Sequence, residues 1–283
     1  MESLVNAGVR QIICVDDCSA ERPTFLEKYP VKVVYREKNG GLSVARNDGL
    51  QYVSEAYVAF VDSDDSVEPE TYVRAVEVLE RSGADIALFG VRTIWVEEGL
   101  AKVNLPRRKE GGLLAVSEVK ELSDNCLFNY AWNKVYRRSF LVNHKLTFDP
   151  DGMPCEDVIF NLQCVMSGAK WCAIDYIGYN YFRTGMTLLS KYKPSNLKGL
   201  QHGSDAWKTY KASTPEAKSL LGGRGELDES GIAEAEKRNR LKPGSPYWLS
   251  GPYNFLRKLC YVCPVRRWRI KRMYPEAAEW IQK

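Results

Sequence analysis

Carboxylates cluster directly after two apolar stretches of the chain. Asp16 and Asp17 follow the run QIICV, and Asp62, Asp64 and Asp65 follow AYVAFV. Three carboxylates within four positions repel one another, and a hard divalent cation such as Mg²⁺ or Mn²⁺ offsets that repulsion. Such a cation binds one or two carboxylates together with phosphate oxygens, so the pattern indicates a metal–diphosphate site. The alternative, an ordinary acidic turn that caps the next helix, stays open from the tripeptide alone.

The apolar runs before these carboxylates have the length and composition of buried strands. We predict strands over 11–15, 31–35, 56–61 and 84–91, and helices over 43–53 and 70–82. This order favours an α/β fold with a mostly parallel sheet flanked by helices. Ligands of open α/β sheets bind outside the carboxyl ends of the strands, which is where the aspartates stand.

Composition restricts the classes of protein to which the chain can belong. The 283 residues are 45% apolar and 27% charged, which is typical of a soluble globular protein. No apolar run approaches the roughly 20 residues of a membrane-spanning helix, and we expect no signal peptide after Met1. The two His residues argue against chemistry based on a His metal site or a Ser-His-Asp triad.

The charge is unevenly distributed between the body and the end of the chain. Residues 237–283 contain 12 Lys and Arg against 2 Asp and Glu, which gives this part a net charge of +10. Because the net charge of the whole chain is +4, residues 1–236 carry −6. Residues 247–274 mix aromatic with basic side chains, a pattern that suits an anionic membrane surface. A solvated helix packed on the domain is the alternative. We expect no nucleic-acid partner, because no recognised nucleic-acid module accompanies the stretch.

Five motifs, in order, carry a resemblance to a known family. They read ICVDDCS, REKNGGLSVARNDGL, YVAFVDSDDSVEP, AWNKVYRRSFL and CEDVIFNLQC. Together they closely resemble family 2 glycosyltransferases of the GT-A fold, and within them bacterial enzymes that build capsular and exopolysaccharide. The resemblance implies a GT-A domain over residues 1–192, followed by a polar linker and a basic helical region over 193–283.

The resemblance implies a nucleotide site at the first motif. Asp17 matches the carboxylate that faces the uracil of a UDP-sugar, and Asp16 beside it is a second candidate for the same site. Arg46, in LSVARN, matches a basic position near the nucleotide. A salt bridge within its own helix is the other role open to Arg46.

The DSDD stretch matches the metal-binding motif of the family. In that resemblance Asp62 and Asp64 form the DxD pair, with Asp64 or Asp65 on the metal and Asp62 directed toward the ribose or the sugar. The implied cofactor is Mn²⁺ or Mg²⁺. The metal would stabilise charge that develops on the diphosphate leaving group.

The last two motifs match the acceptor side of the family's site. Asp157 matches the catalytic base, and Glu156 is a neighbour that can share the acceptor site. Both can also cap a helix, because acidic side chains favour first turns. Trp132, Asn133 and Lys134 match a stretch that borders the donor sugar and acceptor, although a buried core Trp is an equal alternative for Trp132.

The resemblance implies an inverting transfer of a sugar from a nucleotide-sugar to a saccharide or lipid-linked acceptor in cell-surface polysaccharide synthesis. Asp157 would take the proton of the acceptor hydroxyl as that oxygen attacks the anomeric carbon. We expect the protein in the cytoplasm, free or peripheral on the inner face of the cell membrane. The second hypothesis is an inactive, truncated relative that acts only as a binding module.

Two departures from the family pattern bear on activity. The family's chain usually opens with a strand of the type VSVIIPVYN, and here Glu2–Asn6 resembles the end of the helix that follows it. We expect a shortened gene or a late start codon, and a sheet ladder that is left partly unpaired. The second departure is Cys18, which stands where the family has Gly, and Cys adopts a positive φ poorly.

Overall fold

Strands and helices alternate in the first half of the chain, as the sequence predicted. The structure is a computed structural model that describes residues 1–97, 99–115, 118, 121–123, 127–183 and 195–213. The strands are β1 (Ile12–Asp16), β2 (Val31–Tyr35), β3 (Tyr57–Ala59), β4 (Ser66–Val67), β5 (Ile86–Trp95), β6 (Leu100–Asn104), β7 (Lys134–Arg137) and β8 (Trp171–Arg183). The helices are α1 (Glu2–Asn6), α2 (Leu42–Leu50), α3 (Thr71–Ser82), α4 (Arg138–Asn143), α5 (Glu156–Met166) and α6 (Ser195–Ser213), with a 3₁₀ helix at Thr24–Lys28.

The strands form two sheets. β1 and β2 pair in parallel, and a second sheet has the order β3-β7-β5-β8-β4 with β6 added on β5. In the second sheet β5 and β8 run parallel, and the other pairs are antiparallel. The α/β fold is therefore confirmed, but the prediction of a mostly parallel sheet was wrong, because the sheet is mixed. The reason is that β7, which comes late in the chain, inserts between β3 and β5 and runs opposite to both.

A cleft separates the two sheets. Among the described residues β1 pairs only with β2, and β3 pairs only with β7, so each strand keeps one open edge. Both strands line the same cleft, which has a volume of about 2260 Å³ and is also lined by α2. The ladder is therefore partly unpaired at β1 and β3 among the described residues.

An aromatic cluster fixes α5 beneath the strand ends. Phe148 and Phe160 stack with ring centroids 4.1 Å apart, and Phe60 meets Phe148 edge-on at 4.9 Å. Tyr136, on β7, packs edge-on against Phe60 and Phe160 at 5.6 Å. Such close-packed rings leave little room for α5 to move relative to β3 and β7.

Helix α6 lies against the segment that precedes α5. A Cβ at Gly199 would lie 1.8 Å from the Met153 carbonyl oxygen, so only glycine permits this approach. Trp207 and Tyr210 of α6 belong to the hydrophobic core. The predicted domain boundary at 192/193 falls outside the described residues and stays a prediction, as does the basic tail over 247–274.

Candidate active site

The cleft brings together residues from all five sequence motifs. Among the predicted site residues, those that line it are Asp16, Asp17, Arg46, Asp62, Asp64, Asp65, Trp132, Glu156 and Asp157. They come from the ends of β1 and β3, from α2, from the turn before β7 and from the first turn of α5. The structure therefore places side chains that are far apart in the sequence around one solvent-filled space.

Asp17 holds the turn between β2 and α2. Its Oδ1 accepts a hydrogen bond of 2.9 Å from the Gly40 amide and contacts the Arg36 guanidinium, and its Oδ2 accepts one of 2.7 Å from the Gly41 amide. Burial alone would raise the pKa of Asp17, but these hydrogen bonds outweigh it and lower the pKa below its usual range. Gly41 has a φ of 83°, which explains the second glycine of the turn.

The loop after β1 makes a tight turn at Cys18. The Asp16 carboxylate is buried, and its Oδ1 accepts a hydrogen bond of 3.3 Å from the Ser19 amide. Cys18 has a φ of 64°, in the left-handed region that favours glycine. The loop thus has a conformation that glycine adopts easily, and the Cβ of Cys18 makes this conformation less favourable.

Arg46 bridges two carboxylates that line the cleft. Its Nη2 donates to Asp62 Oδ1 at 2.8 Å, and its Nη1 donates to Asp157 Oδ1. Burial by itself would lower the pKa of this guanidinium, but the charges of Asp157, Asp62 and Glu156 outweigh it and raise the pKa. Both partners of Arg46 lie outside α2. The alternative that Arg46 forms a salt bridge within its own helix is therefore not what the structure shows.

In the acidic segment after β3, Asp65 is held by hydrogen bonds and Asp64 is exposed. Asp65 Oδ1 accepts a hydrogen bond of 2.8 Å from the Phe182 amide, and its Oδ2 accepts one of 2.8 Å from the Tyr179 hydroxyl. Burial raises the pKa of Asp65 to about 7. Asp64 is exposed to solvent. In the described part of the chain no three Asp, Glu, His or Cys side chains form a ready metal cage, so a cation here would need ligands from a substrate.

The first turn of α5 presents two acidic side chains with different surroundings. Asp157 Oδ1 contacts Arg46, and its Oδ2 accepts a hydrogen bond of 3.1 Å from the Ala131 amide. Glu156 is 6% exposed, and its Oε2 has no hydrogen-bond partner among the described residues. Burial, assisted by the charge of Asp157, raises the pKa of Glu156 to about 7.

Trp132 has both ring faces covered. Tyr130 stacks on one side at 4.3 Å with an interplanar angle of 15°, and Tyr179 stacks at 4.2 Å with an angle of 20°. Trp132 is 3% exposed. The core role that the sequence left open therefore accounts for its burial, and its contact with a sugar stays an untested prediction.

Lys134 and Asn133 lie behind the cleft wall and do not line it. Both side chains are fully buried. The Lys134 ammonium donates to the carbonyl oxygens of Leu127 (3.0 Å) and Phe128 (3.3 Å), to that of Tyr130, and to Asn133 Oδ1 (2.8 Å). Burial lowers its pKa to about 7. Their predicted contact with substrate stays untested, and the observed contacts instead build the turn that offers the Ala131 amide to Asp157.

Arg36 is a site residue that sequence reasoning missed. Its guanidinium contacts Asp17 and donates to Asp48 Oδ2 at 2.7 Å, so it ties the first motif to α2. Tyr179 is another, through its contact with Asp65. Arg36 opens the second motif, which could have drawn attention to it, whereas no motif contains Tyr179. The partners of both side chains come from other elements of the chain.

Glu156→Gln provides a test of the buried acid. Because the folded state holds the Glu156 proton more tightly than the unfolded chain, this carboxyl stabilises the fold below about pH 4.5, and that contribution is lost as the pH rises through about 7. We expect Glu156→Gln to raise the free energy of unfolding by about 1–3 kcal/mol at pH 8 and to change it little at pH 4.5. Urea denaturation at both pH values measures this. Glu27 is exposed, so Glu27→Gln is the control. If the free energy of unfolding depended on pH identically in Glu156→Gln and wild type, the raised pKa of Glu156 would be contradicted.

Sequence relatives of the chain are bacterial glycosyltransferases and polysaccharide-synthesis proteins. It is 26% identical over 215 residues to the uncharacterized glycosyltransferase YibD of Escherichia coli, covering 71% of this chain and 62% of that protein. It is 29% identical over 194 residues to the succinoglycan biosynthesis protein ExoO of Rhizobium meliloti, covering 63% and 54%. The chain thus spans less than two thirds of the length of these relatives.

The fold is similar to that of a solved structure. The chain aligns with residues 1–349 of Staphylococcus aureus TarS in complex with UDP-GlcNAc at a TM-score of 0.60 and 19% identity, covering 99% of this chain and 76% of that one. At this identity the likeness shows a shared fold. The family model for glycosyl transferase family 2 matches residues 1–144, which is just over half of the 283 residues. The chain therefore belongs to glycosyl transferase family 2.

Proposed function

We propose that the chain catalyses inverting transfer of a sugar from a nucleotide-sugar to a saccharide or lipid-linked acceptor in cell-surface polysaccharide synthesis. The proposed donor is a UDP-sugar. The observation that carries this proposal is the Arg46 bridge, which joins Asp62 of the acidic segment to Asp157 of α5 in one cleft. Direct displacement requires that the donor-binding and acceptor-binding groups border one site.

The donor end of the proposed site lies at the end of β1 and the acidic segment after β3. Asp16 and Asp17 line the cleft beside the turn that Asp17 holds, which suits a role next to a nucleotide base. The relative TarS has been solved with UDP and with UDP-GlcNAc. That supports a uridine nucleotide as the donor to test first.

A divalent cation fits the exposed Asp64 of the acidic segment. Asp64 is exposed, whereas both oxygens of Asp65 are engaged by hydrogen bonds. Mg²⁺ and Mn²⁺ accept one or two carboxylates when substrate phosphates supply other ligands. In the proposed site Asp64 is the principal ligand, with Asp65 as a second ligand if its hydrogen bonds rearrange. The bound cation would supply positive charge to the diphosphate leaving group.

Asp157 is the proposed general base. Its Oδ2 is oriented by the Ala131 amide and its Oδ1 by Arg46, so the carboxylate has a fixed direction at the cleft wall. In a single displacement, the acceptor hydroxyl would give its proton to Asp157 while its oxygen attacks the anomeric carbon. The bond to the diphosphate would break on the opposite face, which inverts the anomeric configuration.

Titration with UDP tests the proposal directly. We expect the full chain to bind UDP at least about tenfold more tightly with Mn²⁺ than with EDTA, since the cation offsets repulsion between carboxylates and diphosphate. Isothermal titration calorimetry measures both affinities. Absence of metal-dependent UDP binding would reject the proposed sugar transfer and favour the alternative of a binding module. The open edges of β1 and β3 are the observation that supports this alternative.

Asp157→Asn separates chemistry from donor binding. We expect the variant to lower sugar transfer by about 10²–10⁴-fold, because a neutral amide cannot accept the acceptor proton. UDP affinity should stay within about threefold, since Arg46 keeps its contact with Asp62. The control is Asp175→Asn, at an exposed residue outside the cleft. Loss of UDP binding in Asp157→Asn, measured at a temperature where the variant is folded, would mean that Asp157 belongs to the donor site.

The membrane is a separate proposed partner, by way of the basic stretch over 247–274. No helix in the described part of the chain is long and apolar enough to cross a bilayer. The proposed contact is peripheral and electrostatic, since the stretch pairs basic with aromatic side chains. We expect the full chain to float with anionic liposomes at low salt, and to float less after removal of residues 247–283. Equal flotation of the two chains would reject the contact.

A further inference from the structure

The acidic segment after β3 is held at two points by one side chain of β8. The Tyr179 hydroxyl accepts a hydrogen bond of 3.0 Å from the Asp62 amide and donates one of 2.8 Å to Asp65 Oδ2. Tyr179 is fully buried. One hydroxyl therefore connects both ends of a four-residue segment and leaves the exposed Asp64 between them.

The ring of Tyr179 also touches the other side of the site. It stacks on Trp132 at 4.2 Å, and Trp132 follows directly after Ala131, whose amide binds Asp157 Oδ2 at 3.1 Å. Stacked rings in a close-packed interior shift only together. A continuous set of contacts thus runs from the acidic segment, through Tyr179 and Trp132, to the turn that orients Asp157.

Arg46 makes a second, independent connection between the acidic segment and Asp157. It binds Asp62 and Asp157 directly. The Arg46 connection is electrostatic and comes from α2, whereas the Tyr179 connection comes from β8 and consists of two hydrogen bonds and aromatic packing. Two connections of different kinds restrict the separation of Asp62 and Asp157 more than either does alone.

We propose that Tyr179 is a positioning residue that sets the placement of the acidic segment relative to Asp157. It touches neither donor nor acceptor in this proposal and acts through Asp62, Asp65 and Trp132. The consequence for catalysis rests on the proposed function, in which the acidic segment binds the donor and Asp157 is the base. The consequence for the order of the segment does not depend on that function.

Tyr179→Phe tests the hydroxyl while it keeps the ring on Trp132. In the ligand-free protein we expect amide hydrogen exchange in a peptide that covers Asp62–Asp65 to become about tenfold faster, because a hydrogen bond to a carboxylate and one to an amide are lost. Metal-dependent UDP affinity should fall by about tenfold. The control is Tyr72→Phe, which removes a buried hydroxyl that has no hydrogen-bond partner among the described residues.

A second variant tests the aromatic connection. Trp132→Phe keeps the hydroxyl contacts of Tyr179 and reduces the stacking area. We expect it to lower kcat more than it raises the KM for the donor, and to show a non-additive effect when combined with Tyr179→Phe. A general loss of stability would not lower kcat selectively. Additive effects of Trp132→Phe and Tyr179→Phe would overturn the proposed connection through Trp132.

The outcomes separate this proposal from the proposed function. Unchanged exchange over Asp62–Asp65 in Tyr179→Phe would overturn the positioning role, whatever the protein binds. If wild type binds no UDP, the proposed function fails, and the exchange experiment still decides the role of Tyr179. If Tyr179→Phe does not fold, Asp65→Asn weakens the same hydrogen bond, and unchanged exchange of the segment in that variant would overturn the proposal.

Discussion

Arg46 lies buried between two carboxylates that come from distant parts of the chain, Asp62 just after β3 and Asp157 in α5. A buried guanidinium is costly to desolvate, and it is retained only when its partners stay in place. Removing one partner of a buried ion pair typically costs about 3–5 kcal/mol, because an uncompensated charge is left behind. The positions of α2, β3 and α5 around the cleft are therefore tied to this one cation.

The surrounding structure supports that arrangement from behind. The aromatic cluster of Phe60, Phe148 and Phe160 fixes α5, and the buried Lys134 ammonium gathers the carbonyl groups of the turn before β7. That turn supplies the Ala131 amide to Asp157. The side chains that line the cleft are thus held by packed rings and buried hydrogen bonds, while Asp64 is left to meet a ligand.

The open edges of β1 and β3 set the shape of the site. In the described part of the chain the two sheets do not join, and the cleft fills the space between them. Apolar side chains of both strands line it, together with the aspartates that follow their carboxyl ends. Ligand binding beside these aspartates follows from the general behaviour of α/β sheets, in which the loops after the strands carry the functional groups.

Local sequence patterns were sufficient to predict the early strands and helices, the presence of Asp16, Asp17, Asp62 and Asp64 in one site, and the family. Those features depend on apolar runs and on the residues directly after them, which are contiguous in the chain. The mixed direction of the sheet was beyond such patterns, because β7 enters between β3 and β5 from much later in the sequence. The tertiary structure alone decided that Arg46 binds outside its helix, that Trp132 is covered on both faces, and that Asp65 is tethered while Asp64 is exposed. Each of these outcomes depends on contacts between side chains brought together from separate elements, and no local spacing encodes them.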